Sequence, residues 1–143
     1  MTKTPDCVLI GLDSAHREEH FASGSIGAQQ LEKLDALIQA ADAPVVVYLH
    51  HHPFVRRPWL AMNDAAELMA VVRGRVHAPL FGHKHRYKSW KDHHEIPRVN
   101  AAPKTSKPIP GTKTRFRVSE LNIDSAGVIA FHDRQRSLGR ALG

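Results

Sequence analysis

Two groups of histidines stand out because of what precedes them. His50-His51-His52-Pro53 follows the apolar run Val45-Val46-Val47-Tyr48-Leu49, and Gly82-His83-Lys84-His85 follows Pro79-Leu80-Phe81. Neutral imidazole is the commonest metal ligand among side chains near pH 7. A lone histidine at a strand end is ordinarily a hydrogen-bonded structural residue. Two clusters at equivalent strand ends change that balance, and His83-x-His85 can aim two rings at one cavity because alternate residues of an extended segment share a face. Gly82 supplies the backbone freedom for a turn at that point. The chemistry this spacing suggests is metal binding.

The elements that must position these residues can be read around them. A short run of β-branched and apolar residues bounded by Pro or Gly reads as a strand of a covered sheet. Open α/β sheets bind ligands just past the carboxyl ends of their strands, so both clusters are expected to face one crevice. Between them, Asn63-Asp64 reads as a helix start, and Ala65 to Val72 as a helix that buries Leu68, Met69 and Val72. The unit is therefore strand, helix, strand, with a right-handed parallel crossover. Upstream, Val8 to Leu12 reads as a buried strand ended by Asp13-Ser14. A covering helix follows over Ala28 to Ala41, with Leu31, Leu34, Leu37, Ile38 and Ala41 on its apolar stripe.

Downstream the pattern changes to short strands and turns. Arg86 to Trp90 and Ile96 to Ala101 flank a polar segment as a hairpin does. Ala102 to Gly111 carries Pro103, Pro108 and Pro110 and reads as a loop. Arg115 to Ile123 alternates, but its apolar residues switch phase between Val118 and Leu121, which predicts a bulge near Ser119-Glu120. Asp124 to Gly127 turns the chain into a strand over Val128 to Phe131, and the polar last ten residues read as a frayed tail.

At 143 residues the chain has a single-domain length and can bury a core. No apolar stretch approaches the ~20 residues of a membrane span, and the first residues lack the apolar core of a secretory signal. The single cysteine, Cys7, argues against a disulfide framework and reads as a small buried apolar residue. A soluble, cytoplasmic protein is expected. From Lys84 to Arg117 ten Lys or Arg face two acidic residues, within a net charge of +6. That stretch lacks aromatic interleaving or a nucleic-acid-binding motif, so a basic face beside an anionic-substrate cleft is expected rather than nucleic-acid binding.

The ordered set Val8-Leu9-Ile10-Gly11-Leu12-Asp13-Ser14, Gln30-Leu31-x-x-Leu34, Leu49-His50-His51-His52-Pro53 and Phe81-Gly82-His83-Lys84-His85-Arg86 resembles the calcineurin-like metallophosphoesterases, in the cyclic-nucleotide and glycerophosphodiester phosphodiesterase branch. The resemblance covers residues 8 to about 133. It implies an α/β fold, half of a metallophosphoesterase-type αββα sandwich: a mixed sheet with two covering helices and a C-terminal β-hairpin region, in one domain over 1–143. It further implies that His50, His83 and His85 ligate divalent transition metal (Mn, Fe or Zn), with His51 and His52 as catalytic candidates contacting phosphate. Asp13 is implied to shape the turn rather than to ligate. The family's earlier ligand motifs, Asp-x-His, Gly-Asp and Gly-Asn-His-Asp/Glu, have no counterpart before Val8. Asp92-His93-His94 spells Asp-x-His, but it follows the last ligand motif on an expected hairpin and reads as coincidence. The chain therefore resembles the carboxyl half of such an enzyme.

The loop after His52 adds Arg56, Arg57 and Trp59. Guanidinium forms paired hydrogen bonds to phosphate oxygens, so Arg56 and Arg57 are expected to bind a phosphorylated small molecule, a nucleotide or another phosphodiester. Trp59 is expected to pin the loop against the domain, with stacking on a base as the alternative. Without the family's first half, an apolar sheet face and an unpaired edge at Val8 to Leu12 or Val45 to Leu49 would be exposed, so a homo-oligomer or a complementing chain is expected. The rival reading is a noncatalytic module for self-association or for holding a single metal ion.

Overall fold

The computed structural model describes residues 1–15, 22–84, 88–93, 95–101, 115–123 and 129–137. Its centre is three parallel strands, β2 (Val8–Gly11), β3 (Val45–Leu49) and β4 (Ala78–Phe81). A short amino-terminal strand, β1 (Thr2–Lys3), pairs antiparallel with Val8 and Leu9. On the far side β6 (Ile96–Ala101) runs parallel to β4, and β5 (Lys88–His93) pairs antiparallel with β6. The six strands form one mixed sheet in the order β1-β2-β3-β4-β6-β5. Two helices, α1 (Ala28–Gln39) and α2 (Ala65–Val72), connect the parallel strands.

The burial pattern follows from the twofold alternation of strand side chains. Val8, Ile10, Val45, Val47, Leu49 and Phe81 join Leu31, Leu34 and Ile38 of α1 and Leu68, Met69 and Val72 of α2 in the main core. Each fully buried side chain of this size contributes roughly 2 kcal/mol of transfer free energy. The opposite face of the sheet presents Val46 and Ala78, and there Leu121 and Ile123 pack from β7 (Arg115–Ile123). With β8 (Ile129–Ser137), β7 forms a separate two-stranded antiparallel sheet.

Several expectations are corrected. The β7–β8 ladder runs unbroken from Arg115 opposite Ser137 to Ile123 opposite Ile129, so there is no bulge at Ser119-Glu120. Both apolar residues of the second phase, Leu121 and Ile123, simply take the face toward the main sheet. The second strand runs on through the polar residues to Ser137 instead of ending at Phe131, because a two-stranded ribbon needs only backbone pairing to continue. β3 is paired on both sides and offers no free edge. The β2 edge is covered by β1 at Val8 and Leu9 only. Trp59 does not pin its loop, being 55 % exposed. The expected loop at 102–111, the turn at 124–127 and the tail beyond Ser137 lie outside the described residues. Among the described residues no helix is long and apolar enough to cross a membrane.

The helices are held at their ends by side chains from elsewhere in the chain. Asp64 immediately precedes α2, yet its carboxylate does not cap that helix. Its Oδ2 instead accepts the backbone N–H of Ile26 (2.7 Å) and Gly27 (2.8 Å), at the entry to α1. Arg75 donates to the Asp35 carboxylate and to the Val71 carbonyl, joining the end of α2 to α1.

Candidate metal centre

β3 and β4 are in register with Leu49 opposite Phe81, so the next residues, His50 and Gly82, leave the sheet side by side. The ladder extends one step further, the Gly82 N–H donating to the His50 carbonyl at 3.0 Å. A Cβ on Gly82 would lie 3.3 Å from both Nδ1 and the carbonyl oxygen of His50, so the glycine permits this close approach. His83 then takes φ 66°, a left-handed conformation uncommon for a side-chain-bearing residue. The Lys84 N–H closes a three-residue turn onto the Gly82 carbonyl at 2.8 Å.

That turn brings His83 back against the His50 turn. His83 Nδ1 lies 3.2 Å from His50 Nε2. The ring of His51 completes the group, with centroids 4.7 Å from His83 and 5.1 Å from His50. One ligating nitrogen from each of His50, His51 and His83 lies within 4.8 Å of the others. The donor set fits a transition ion: two imidazole nitrogens at ~2.0–2.1 Å from a tetrahedral ion stand ~3.3 Å apart, and His50 and His83 are already at 3.2 Å. His50 is exposed, His83 half-buried and His51 only 5 % exposed, so the cluster is a floor with one open side.

His51 is held from below. The Ser14 hydroxyl oxygen accepts the His51 backbone N–H at 3.1 Å and lies 2.9 Å from His51 Nδ1. The turn bearing Ser14 is itself fixed. Asp13 Oδ1 accepts the Ala15 N–H, and the Gln30 amide both accepts the Asp13 N–H and donates to the Asp13 carbonyl. The Asp13 carboxylate thus shapes its turn.

His52 points elsewhere. Its ring lies 5.3 to 5.5 Å from those of Phe54, Phe81 and Trp90, and its Nδ1 accepts the Phe54 N–H at 3.1 Å. Burial, with the nearby Lys84 and Lys88 charges, pushes its pKa down to about 4. The ring is therefore neutral at pH 7 and forms part of an aromatic wall.

A cleft of about 500 Å³ opens beside the cluster, lined by His83, Lys84, Arg56, Arg57, Leu60, Phe54 and Val55. Arg56 and Arg57 are thus brought to the rim of the space that His83 enters. A larger cavity of about 600 Å³, lined mainly by Phe54, Met69 and the alanines of α2, holds no histidine. It carries Arg73 and Glu95, whereas the smaller cleft is the one that adjoins the histidine cluster, through His83. His85 lies outside the described residues, as do His16 and His20. Asp92 falls on β5, the outermost strand of the sheet, two strands away from β4. Sequence reasoning singled out His50, His51, His52, His83, His85, Arg56 and Arg57; the structure brings His50, His51 and His83 together, sets Arg56 and Arg57 at the adjoining cleft and turns His52 into the aromatic wall. Sequence reasoning missed Ser14 as the support of His51, since neither type nor spacing announces a hydrogen bond across 37 residues.

Searched against models of known protein families and against curated proteins, the chain matches none.

Proposed function

We propose that this chain supplies one wall of a metal-dependent phosphoester hydrolase, acting on a phosphorylated small molecule such as a nucleotide or another phosphodiester. The observation that carries the reading is the meeting of two histidine turns, at the carboxyl ends of adjacent parallel strands, beside a cleft lined by His83, Arg56, Arg57 and Lys84. His50, His51 and His83 would hold a divalent ion, with Mn, Fe or Zn all compatible with imidazole nitrogen. His85, which the resemblance adds to the ligand set, would extend it. Such an ion supplies a water of lowered pKa and neutralises phosphoryl charge. The chain's own residues do the rest: Arg56 and Arg57 bind and orient the anionic oxygens, Lys84 adds positive charge at the mouth, and the apolar sides of Phe54, Val55 and Leu60 limit water. The resemblance to calcineurin-like metallophosphoesterases supports the same chemistry, in the half-sandwich form described above. By that resemblance, carboxylate ligands would complete the site.

The test is metal content together with activity. After equilibration with Zn²⁺ and dialysis, elemental analysis should find one ion per chain, lost in His50→Ala and in His83→Ala. Hydrolysis of bis-p-nitrophenyl phosphate with Mn²⁺ should be slow for the chain alone. It should rise when a polypeptide carrying the Asp-x-His, Gly-Asp and Gly-Asn-His motifs is added. Metal retained by the His50→Ala/His83→Ala double variant would sink the assignment.

One observation favours a second reading, a noncatalytic metal-binding or self-association module. Among the described residues the cluster contains imidazoles and no carboxylate. Two like-charged ions ~3.5–4 Å apart need a bridging anion. A zinc-loaded chain with no affinity for inorganic phosphate would select this second reading.

A further inference from the structure

We infer that Ser14 is the positioning residue of the metal site: its hydroxyl holds the His51 ring by Nδ1 and so makes Nε2 the ligating nitrogen. This rests on the metal-binding part of the reading above and not on the hydrolytic part.

Ser14 is 1 % exposed, which removes it from contact with any substrate and excludes a nucleophilic role. Among the described residues both side-chain hydrogen bonds of Ser14 go to one residue, to the His51 N–H at 3.1 Å and His51 Nδ1 at 2.9 Å. Backbone and ring of His51 are therefore tied to a single oxygen, which fixes the ring's direction relative to its own main chain.

The proton count then determines which nitrogen faces an ion. A hydroxyl has one proton and two lone pairs, and a neutral imidazole carries one N–H. One Ser14 lone pair is taken by the His51 backbone N–H. If the second accepts Nδ1–H, then Nε2 presents the lone pair that a divalent ion requires. If instead the hydroxyl donates to Nδ1, the ring proton sits on Nε2 and blocks ligation. Rotation of the hydroxyl with a change of tautomer interconverts the two, so a metal can select the first form without any net loss of a proton from the ring. Orientation of ligating histidines through the second ring nitrogen is a general device, and loss of that partner costs typically 10–100-fold in metal affinity.

A second feature packs against the same Nδ1 edge of the ring. Gly24 packs so closely that a Cβ there would lie 2.3 Å from His51 Nδ1 and 2.4 Å from the Ser14 carbonyl oxygen. Gly24 cannot easily retreat, because its N–H donates to the Ala61 carbonyl at 3.2 Å and its own carbonyl accepts the Asn63 N–H at 2.8 Å. A hydroxyl and a stretch of anchored backbone thus meet the Nδ1 edge of the ring together.

The experiment uses the purified chain and Zn²⁺ alone. Long-range ¹H–¹⁵N spectra of histidine-labelled protein report the tautomer of each ring, and calorimetry reports affinity. Zn-loaded wild type should show His51 with its proton on Nδ1. Ser14→Ala should bind Zn²⁺ 10–100-fold more weakly. It should cause no further loss when introduced into His51→Ala, because it acts only through that ring. A Zn-loaded wild type with the proton on His51 Nε2 overturns the inference whether or not any variant folds, as does a folded Ser14→Ala that binds Zn²⁺ within twofold of wild type. A wild-type chain that binds no Zn²⁺ overturns the metal site itself. A Ser14 failure with intact wild-type binding leaves the metal site standing.

Discussion

His50 Nε2 and His83 Nδ1 stand 3.2 Å apart although 33 residues separate them in the chain. Two neutral imidazoles at this distance share a proton when no cation is bound, and the same spacing suits two nitrogens on one tetrahedral ion. The contact depends on a backbone that His83 adopts against its own preference, at φ 66°.

That conformation predicts a trade between stability and ligation. A left-handed backbone costs an L-residue about 1–2 kcal/mol and a glycine almost nothing. His83→Gly should therefore be more stable than His83→Ala by about 1 kcal/mol in urea denaturation of metal-free protein, while both variants lose the ion. Equal stability of the two would show that the turn is not strained.

Gly11 and Gly24 make a matched pair. A Cβ on Gly11 would lie 2.6 Å from the Tyr48 ring, and one on Gly24 would lie 2.3 Å from the His51 ring. Tyr48 is 51 % exposed and can swing into solvent, whereas His51 is buried and the Ser14 carbonyl is fixed backbone. Gly11→Ala should change stability by less than about 0.5 kcal/mol. Gly24→Ala should cost about 1–3 kcal/mol through overpacking, with weaker Zn²⁺ binding. Thermal unfolding of the two variants checks this, and similar losses in both would refute it.

His52 sets a pH dependence. Its folded pKa is lowered from 6.5 to about 4, so between those values the unfolded chain holds a proton that the folded chain does not. The sign follows: stability is full above pH 6.5 and falls as pH drops through 6.5 toward 4, by up to about 3 kcal/mol. His52→Phe should flatten that slope in metal-free protein. An unchanged slope in the variant would assign the effect to other groups.

Arg56 and Arg57 should carry phosphate affinity. A hydrogen bond to a charged group contributes about 1.5 kcal/mol at the low end that suits an exposed site, so each Arg→Ala change should weaken inorganic phosphate binding by about tenfold. The loss should shrink as salt rises, because exposed charges are screened. Calorimetry at low and high ionic strength makes the comparison, and unaltered affinity in the double variant would remove both arginines from the site.

The sequence by itself determined the α/β class, the parallel strands at Val45–Leu49 and Pro79–Phe81, the helix at Ala65–Val72 and the placement of two histidine groups at strand ends. These are local matters: apolar periodicity sets element type, and Pro and Gly set where elements stop. Tertiary structure alone decided which histidines meet. His51 and His52 are neighbours of the same type, yet one joins His50 and His83 while the other enters the wall of Phe54, Phe81 and Trp90. The difference arises because the chain leaves the strand at His50, and each following side chain takes whatever partner the packed neighbours offer, Ser14 for one and the Phe54 N–H for the other. Asp64 gives the same lesson. Its position before a helix reads as a cap for α2, but the amides that it satisfies belong to Ile26 and Gly27, because a carboxylate bonds the donors that folding brings within reach rather than those nearest in sequence.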